Sequence, residues 1–185
     1  SGTIRANGGE VYLATTAVND LLKGVVNNTG VIEANSLAGI TGHVELFAHG
    51  GEVQVGGKLE AKEGFIETSG RDFSIDKDAK IETAEWLIDP VDITINDTLA
   101  SAIATQLGSG NVTIETDATN TPDTSSSQSG TIGDIFVASN INYTGTNEST
   151  LTLKAHRSVV FANEYGSYGT NGTNGIQPSQ KGSIS

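Results

Sequence analysis

Apolar residues in this chain come in short groups, often two apart, with glycines between the groups and almost no helical spacing. From Gly42 to Ile95 the positions Val44, Leu46, Val53, Val55, Leu59, Phe65, Ile66, Phe73, Ile75, Ile81 and Ile88 follow that pattern. A period of two is that of a half-buried strand, whose side chains alternate between two faces. The pattern also repeats at a longer interval. Lys58–Ala61 (KLEA) with Gly64–Thr68 (GFIET) is echoed by Lys80–Thr83 (KIET) with Glu85–Ile88 (EWLI). Earlier copies are Gly2–Asn7 with Gly9–Ala14, and Gly30–Asn35 with Gly42–Ala48, the last pair separated by an insertion at Ser36–Thr41.

Aligning Ile4, Ile32, Leu59 and Ile81 gives spacings of 28, 27 and 22 residues; Val11, Val44, Phe65 and Trp86 give 33, 21 and 21. Strand pairs kept at unequal spacing imply a common coil from which insertions loop out. Copies this far apart leave room for the crossover that parallel strands require, and they stack about 4.8 Å apart. The expected fold is therefore all-β: a right-handed parallel β-helix, or solenoid, with one short helical insertion. Its handedness follows the crossover rule. Asn7, Asn27, Asn28 and Asn35 fall at expected corners, where their amides bond neighbouring backbone or ladder with the next copy. Val18–Val26 fits either a helical turn or the edge of a rung.

The chain divides into residues 1–95, roughly four rungs, and 96–185, a continuation of the coil. In the second part, apolar positions 99, 103 and 107 predict a helix over 97–107, capped by Asp97 or Thr98 and closed by Gly108. Strands are expected at Asn111–Thr116, Asp134–Ile141, Thr150–Lys154 and Ser158–Phe161, with another beginning at Ser183. Residues 117–130 and 163–182 are polar and read as long surface loops.

Composition changes this picture in three ways. Few aromatic residues are present and glycine is abundant, 23 of 185 residues, which suits stacked small and β-branched side chains better than one large core. The net charge of −12 argues against nucleic acid, which needs a basic stripe, and against an anionic membrane surface. No apolar run reaches membrane length. Cysteine is absent, so neither disulfides nor thiolate metal sites contribute. Methionine is absent too, and a processed form or excised fragment is expected.

The runs GGEVYLATTAVNDLLKGVVNNTGVIEA, GGEVQVGGKLEA with GFIETSG, and WLIDPVDITI resemble large secreted exoproteins of the filamentous haemagglutinin type. These are the passengers of bacterial two-partner secretion. The segments GNVTIET, GDIFVASNI and LTLKAHRSVVF are similar to the stretch found after WLIDP in that family. The resemblance implies a secreted or cell-surface β-helix, exported by an outer-membrane two-partner transporter and attached to a host surface glycan or protein receptor. The Asn-Pro-Asn signatures of the family's secretion domain are absent, so the chain is expected to start late in that domain or just beyond it. The function implied is a structural and adhesive segment mediating attachment to host cells or other bacteria. Alternatives are a host haem-protein capture module, a stalk carrying a contact-inhibition toxin, or a polysaccharide-acting enzyme.

No catalytic group, cofactor site or metal site is assigned. His43, His49 and His156 are the only histidines and lack a nucleophile elbow or paired-histidine motif. Asp72, Asp76 and Asp78 match no calcium loop and read as turn formers. Glu60, Glu63, Glu67 and Glu82 read as a solvated face rather than a carboxylate pair for glycoside chemistry. Trp86 reads as a packing plug. Tyr143, Tyr165 and Tyr168, flanked by Asn, Gly and Ser, are the candidate loop contacts. Asn-x-Ser/Thr occurs at Asn27, Asn96, Asn111, Asn142, Asn147 and Asn171. Some exoproteins of the family are asparagine-glycosylated, which implies modification here, with Asn147 and Asn171 the leading sites.

Overall fold

The computed structural model describes residues 2–16, 24–116 and 133–161, together with the backbone of 162, 168–169, 176–178 and 182–184. The elements in order are β1 (Thr3–Arg5), β2 (Glu10–Thr16), β3 (Val25–Asn28), β4 (Val31–Glu33), β5 (His43–Val55), β6 (Lys58–Ile75), β7 (Lys80–Asp89) and β8 (Ile93–Ile95). Then come α1 (Asp97–Gln106), β9 (Asn111–Glu115), β10 (Asp134–Val137), β11 (Ile141–Tyr143), β12 (Ser149–Lys154), β13 (Ser158–Ala162), β14 (Tyr168–Gly169), β15 (Ile176–Pro178) and β16 (Gly182–Ile184). The chain is mostly β with one short helix among the described residues. No described helix is long and apolar enough to cross a membrane.

A ten-stranded sheet runs β1-β4-β6-β7-β9-β12-β16, with β2 and β3 both pairing β5 and β5 pairing β6. A four-stranded sheet, β14-β13-β10-β8, and the pair β11-β15 complete the structure. Every named pairing is parallel except β13 with β14.

Because the strands pair in register, side chains stack in columns. Ile4, Ile32, Leu59 and Ile81 stand opposite one another in turn, as their spacing predicts. A second column is Val11, Val44, Ile66, Trp86, Val112 and Leu151. Here the structure corrects the alignment by one residue: Ile66, not Phe65, faces Val44, and Phe65 pairs with His43 on the other face. The register shifts between Ala61 and Phe65, and Glu63 takes a left-handed φ of 57°. β6 takes four steps from Ala61 to Phe65 where β7 takes two from Thr83 to Glu85, and the buried positions of β6 change from odd (Leu59, Ala61) to even (Ile66, Thr68) across it. Trp86 is fully buried, and its indole Nε1 donates to Thr68 Oγ1 at 3.2 Å.

Asparagines do hold the corners. Asn28 donates from Nδ2 to Gly56 O at 2.9 Å and accepts from Gly30 N at 3.2 Å. Asn35 accepts from Lys62 N at 2.8 Å and donates to Glu60 at 2.7 Å, while Asn7 accepts from Asn35 N at 3.0 Å. Asn27 ladders instead with Gln54, at 2.7 Å. The bonds to Gly56 O and from Gly30 N, Lys62 N and Asn35 N satisfy backbone groups at these turns.

The helix appears as predicted, but its cap is Asn96, whose side chain accepts from Leu99 N at 3.0 Å. Asp97 is already inside the first turn. Leu99, Ala100, Ile103 and Gln106 are its buried residues. Gln106 has a role that its sequence does not announce. β9 meets β7 only from Glu85 onward, and at Thr83 the Gln106 amide takes the strand's place. Its Nε2 donates to Thr83 O at 2.7 Å and its Oε1 accepts from Thr83 N at 3.3 Å. Gln106→Leu keeps the volume and strands both peptide groups. It is expected to lower unfolding free energy by about 2 kcal/mol, read from urea denaturation followed by far-UV circular dichroism.

The expected strand 134–141 is two strands, β10 and β11, separated by a bend at Ser139. The expected loop 163–182 contains the short strands β14 and β15, and Gly182 opens β16. Loop 117–130 lies outside the described residues. Of Val18–Val26, residues 24–26 are described, and Val25 begins β3.

Candidate functional site

A polar groove of about 480 Å³ lies between α1 and the chain around β11. Two local features shape it. The outward side of α1 carries Ser101 and Thr105, small residues that leave the helix surface low. Opposite them, Asn140, Asn142 and Tyr143 bring amides and a ring to the far wall, and Asp97 closes one end. Asp97 is itself engaged, accepting from Ser139 Oγ at 2.6 Å.

Tyr143 is placed differently from its expected role as an exposed loop contact. It lies in β11 and is only 6% exposed. Its hydroxyl donates to Asn147 O at 2.8 Å, which closes the turn between β11 and β12. Gly145 lies so close to the ring that any side chain there would meet it. The ring therefore forms part of the groove's wall instead of projecting from it. Tyr168 lies in β14, and Tyr165 is outside the described residues.

The sequon asparagines also separate. Asn147 is exposed, but its amide donates to Gly108 O at the end of α1. Asn96 is the helix cap, Asn27 is laddered to Gln54, and Asn111 accepts from Thr150 N at 2.9 Å. Asn142 is exposed on β11, and its side chain has no hydrogen bond among the described residues. Asn171 lies outside them. Asn140 and Asn142 are contacts that the sequence reading misses, although their place beside Tyr143 in a run of amide and hydroxyl residues is a visible signal.

The acidic residues divide into local roles. Asp76 and Ala79 close a turn, with Ala79 N donating to Asp76 O at 3.0 Å. Glu33, Glu60 and Glu82 form one register column. Glu60 is buried, and burial works to raise its pKa; hydrogen bonds from Lys58 and Asn35 more than offset this and hold it below the usual carboxylate range. Lys62 lies between Glu60 and Glu82, at 3.7 and 3.4 Å. Elsewhere, Arg157 holds the Asp134 carboxyl low against its burial, tying β13 to β10.

Chemically, the groove offers amide donors and acceptors, hydroxyls and the side of one aromatic ring. Among the described residues, Asp97 and Tyr143 are its only titratable side chains, and these present no carboxylate pair for general acid–base work. A neutral, hydroxyl-rich ligand matches it best. No family model, curated protein or solved structure matches this chain.

Proposed function

We propose that the chain is a right-handed parallel β-helix, a structural and adhesive segment of a secreted exoprotein of the filamentous haemagglutinin type. The observation that carries this reading is the column Ile4–Ile32–Leu59–Ile81, in which strands 22 to 28 residues apart pair in parallel. A repeating coil gives such registers with no long-range crossover. The seven strands on the path from β1 to β16, at about 4.8 Å each, span roughly 30 Å. That length serves as a stiff spacer holding a binding surface away from the cell. An outer-membrane two-partner transporter exports the chain, and its acidic surface keeps it soluble outside.

The groove beside α1 is the attachment surface in this reading, and a host surface glycan is its ligand. Binding of the purified 185-residue chain to an array of mammalian glycans tests it. A defined glycan class should be retained, and Ser101→Tyr, which fills the groove, should weaken that binding at least tenfold, or ~1.4 kcal/mol. Retention of no glycan, or equal binding by the filled variant, overturns the groove as the attachment surface.

A further inference from the structure

The face of the large sheet opposite the columns carries one group of side chains that the adhesive reading leaves unused. His43 and Glu45 are two apart on β5 and so point the same way. Glu67 on β6 is the register partner of Glu45. One ring nitrogen of His43 and one carboxylate oxygen from each glutamate lie within 4.8 Å of one another, and all three residues are half-buried.

The surroundings of this group leave an electrostatic need unfilled. His43 Nε2 is shielded from solvent and has no hydrogen-bond partner among the described residues. The ring is steadied edge-on by Phe65, with centroids 5.2 Å apart. Neither Glu45 nor Glu67 has a lysine or arginine partner among the described residues; Glu67 is oriented instead by Ser69 Oγ, which donates to it at 2.7 Å. Burial pushes the Glu45 carboxyl up, and the charges of Glu67 and Glu10 push it further, with His43 opposing. Two facing carboxylates without a fixed cation beside an unpaired imidazole are costly to ionise together.

We propose that His43, Glu45 and Glu67 bind a divalent first-row transition cation, best matched by Zn²⁺, through one imidazole nitrogen and two carboxylate oxygens. The imidazole disfavours Ca²⁺ and Mg²⁺, which take oxygen ligands. Zn–N and Zn–O bonds of about 2.0–2.2 Å place tetrahedral ligands roughly 3.4 Å apart, a closure that small rotations of the two glutamate side chains supply. Three protein ligands leave a position for water or an external donor. The site stands whether or not the groove beside α1 takes a glycan.

Titration calorimetry of the full chain with ZnCl₂ at pH 7, in buffer freed of metal, tests this. One equivalent should bind saturably, and Co²⁺ should give the visible absorption of a low-symmetry nitrogen–oxygen site. His43→Ala and the isosteric Glu45→Gln and Glu67→Gln should each weaken Zn²⁺ at least about tenfold, with unchanged far-UV circular dichroism. His156→Ala should leave it unchanged, and Ca²⁺ should not compete. Absence of saturable binding, or binding indifferent to His43→Ala and Glu67→Gln, overturns the site. Loss of the Zn²⁺ site in His156→Ala alone would place the metal elsewhere and overturn it equally.

Discussion

Trp86→Ala is expected to lower the free energy of unfolding by about 3–5 kcal/mol. The indole is fully buried in β7, between Ile66 on one side of its column and Val112 on the other, with the Phe73 ring 6.4 Å away. These neighbours, in β6 and β9, are held by backbone ladders and relax little, so most of the vacated volume stays as a cavity. Truncation also takes the indole donor from Thr68 Oγ1, although that hydroxyl still donates to Leu87 O at 3.2 Å. Trp86→Phe keeps a ring in the column and should recover more than half of the loss. Urea denaturation followed by far-UV circular dichroism measures both. A cost below about 1 kcal/mol for the alanine variant would mean that the column is not packed as described.

Gly42→Ala is expected to be nearly as damaging, at about 3 kcal/mol, although it adds a single methyl group. A Cβ at Gly42 would overlap the carbonyl of Ala34 and crowd Asn35. Relaxation is blocked on both sides. Gly42 N donates to Ser36 Oγ at 3.0 Å, and Gly42 O accepts from Phe65 N at 3.0 Å. The glycine thus returns the chain from the Ser36–Thr41 insertion to its place beside the next strand. Gly2→Ala, whose Cβ would meet nothing within 4 Å, is the control and should leave the urea midpoint unchanged.

The repeated columns were legible because Ile4, Ile32 and Leu59 each sit two residues after a glycine, and the KIET run containing Ile81 echoes the KLEA run containing Leu59. The turn asparagines were legible for a related reason: Asn7 and Asn35 each end one copy of the repeated strand, where a polar side chain can bond the turning backbone. The Phe65–Ile66 position was not legible. Both residues are apolar, so the irregularity between Ala61 and Phe65 leaves the hydrophobic pattern nearly unchanged while changing which side chain faces inward. That slip also concealed the His43 group. With Phe65 set against Val44, Glu67 falls opposite Leu46 on the inner face; with Ile66 there, it falls opposite Glu45. Two of the three ligands could be paired from their spacing, but the third required the register. Gln106 was hidden differently. Its partner is a stretch of β7 left open where β9 begins late, and no helical periodicity encodes that gap. Tyr143 had the composition of a recognition loop around it, but the hydrogen bond to Asn147 that fixes its ring depends on the turn and not on composition.

The position of Trp86 has one more consequence. It is the chain's single tryptophan, and β7 lies between β6 and β9, near the middle of the large sheet's path. Its emission is therefore an optical window onto one cross-section, while circular dichroism averages over every strand. In a sheet whose strands hydrogen-bond only to their neighbours in order, the two signals part whenever the ends fray before the centre. The gap between their midpoints is a direct measure of how far cooperativity extends along the stack.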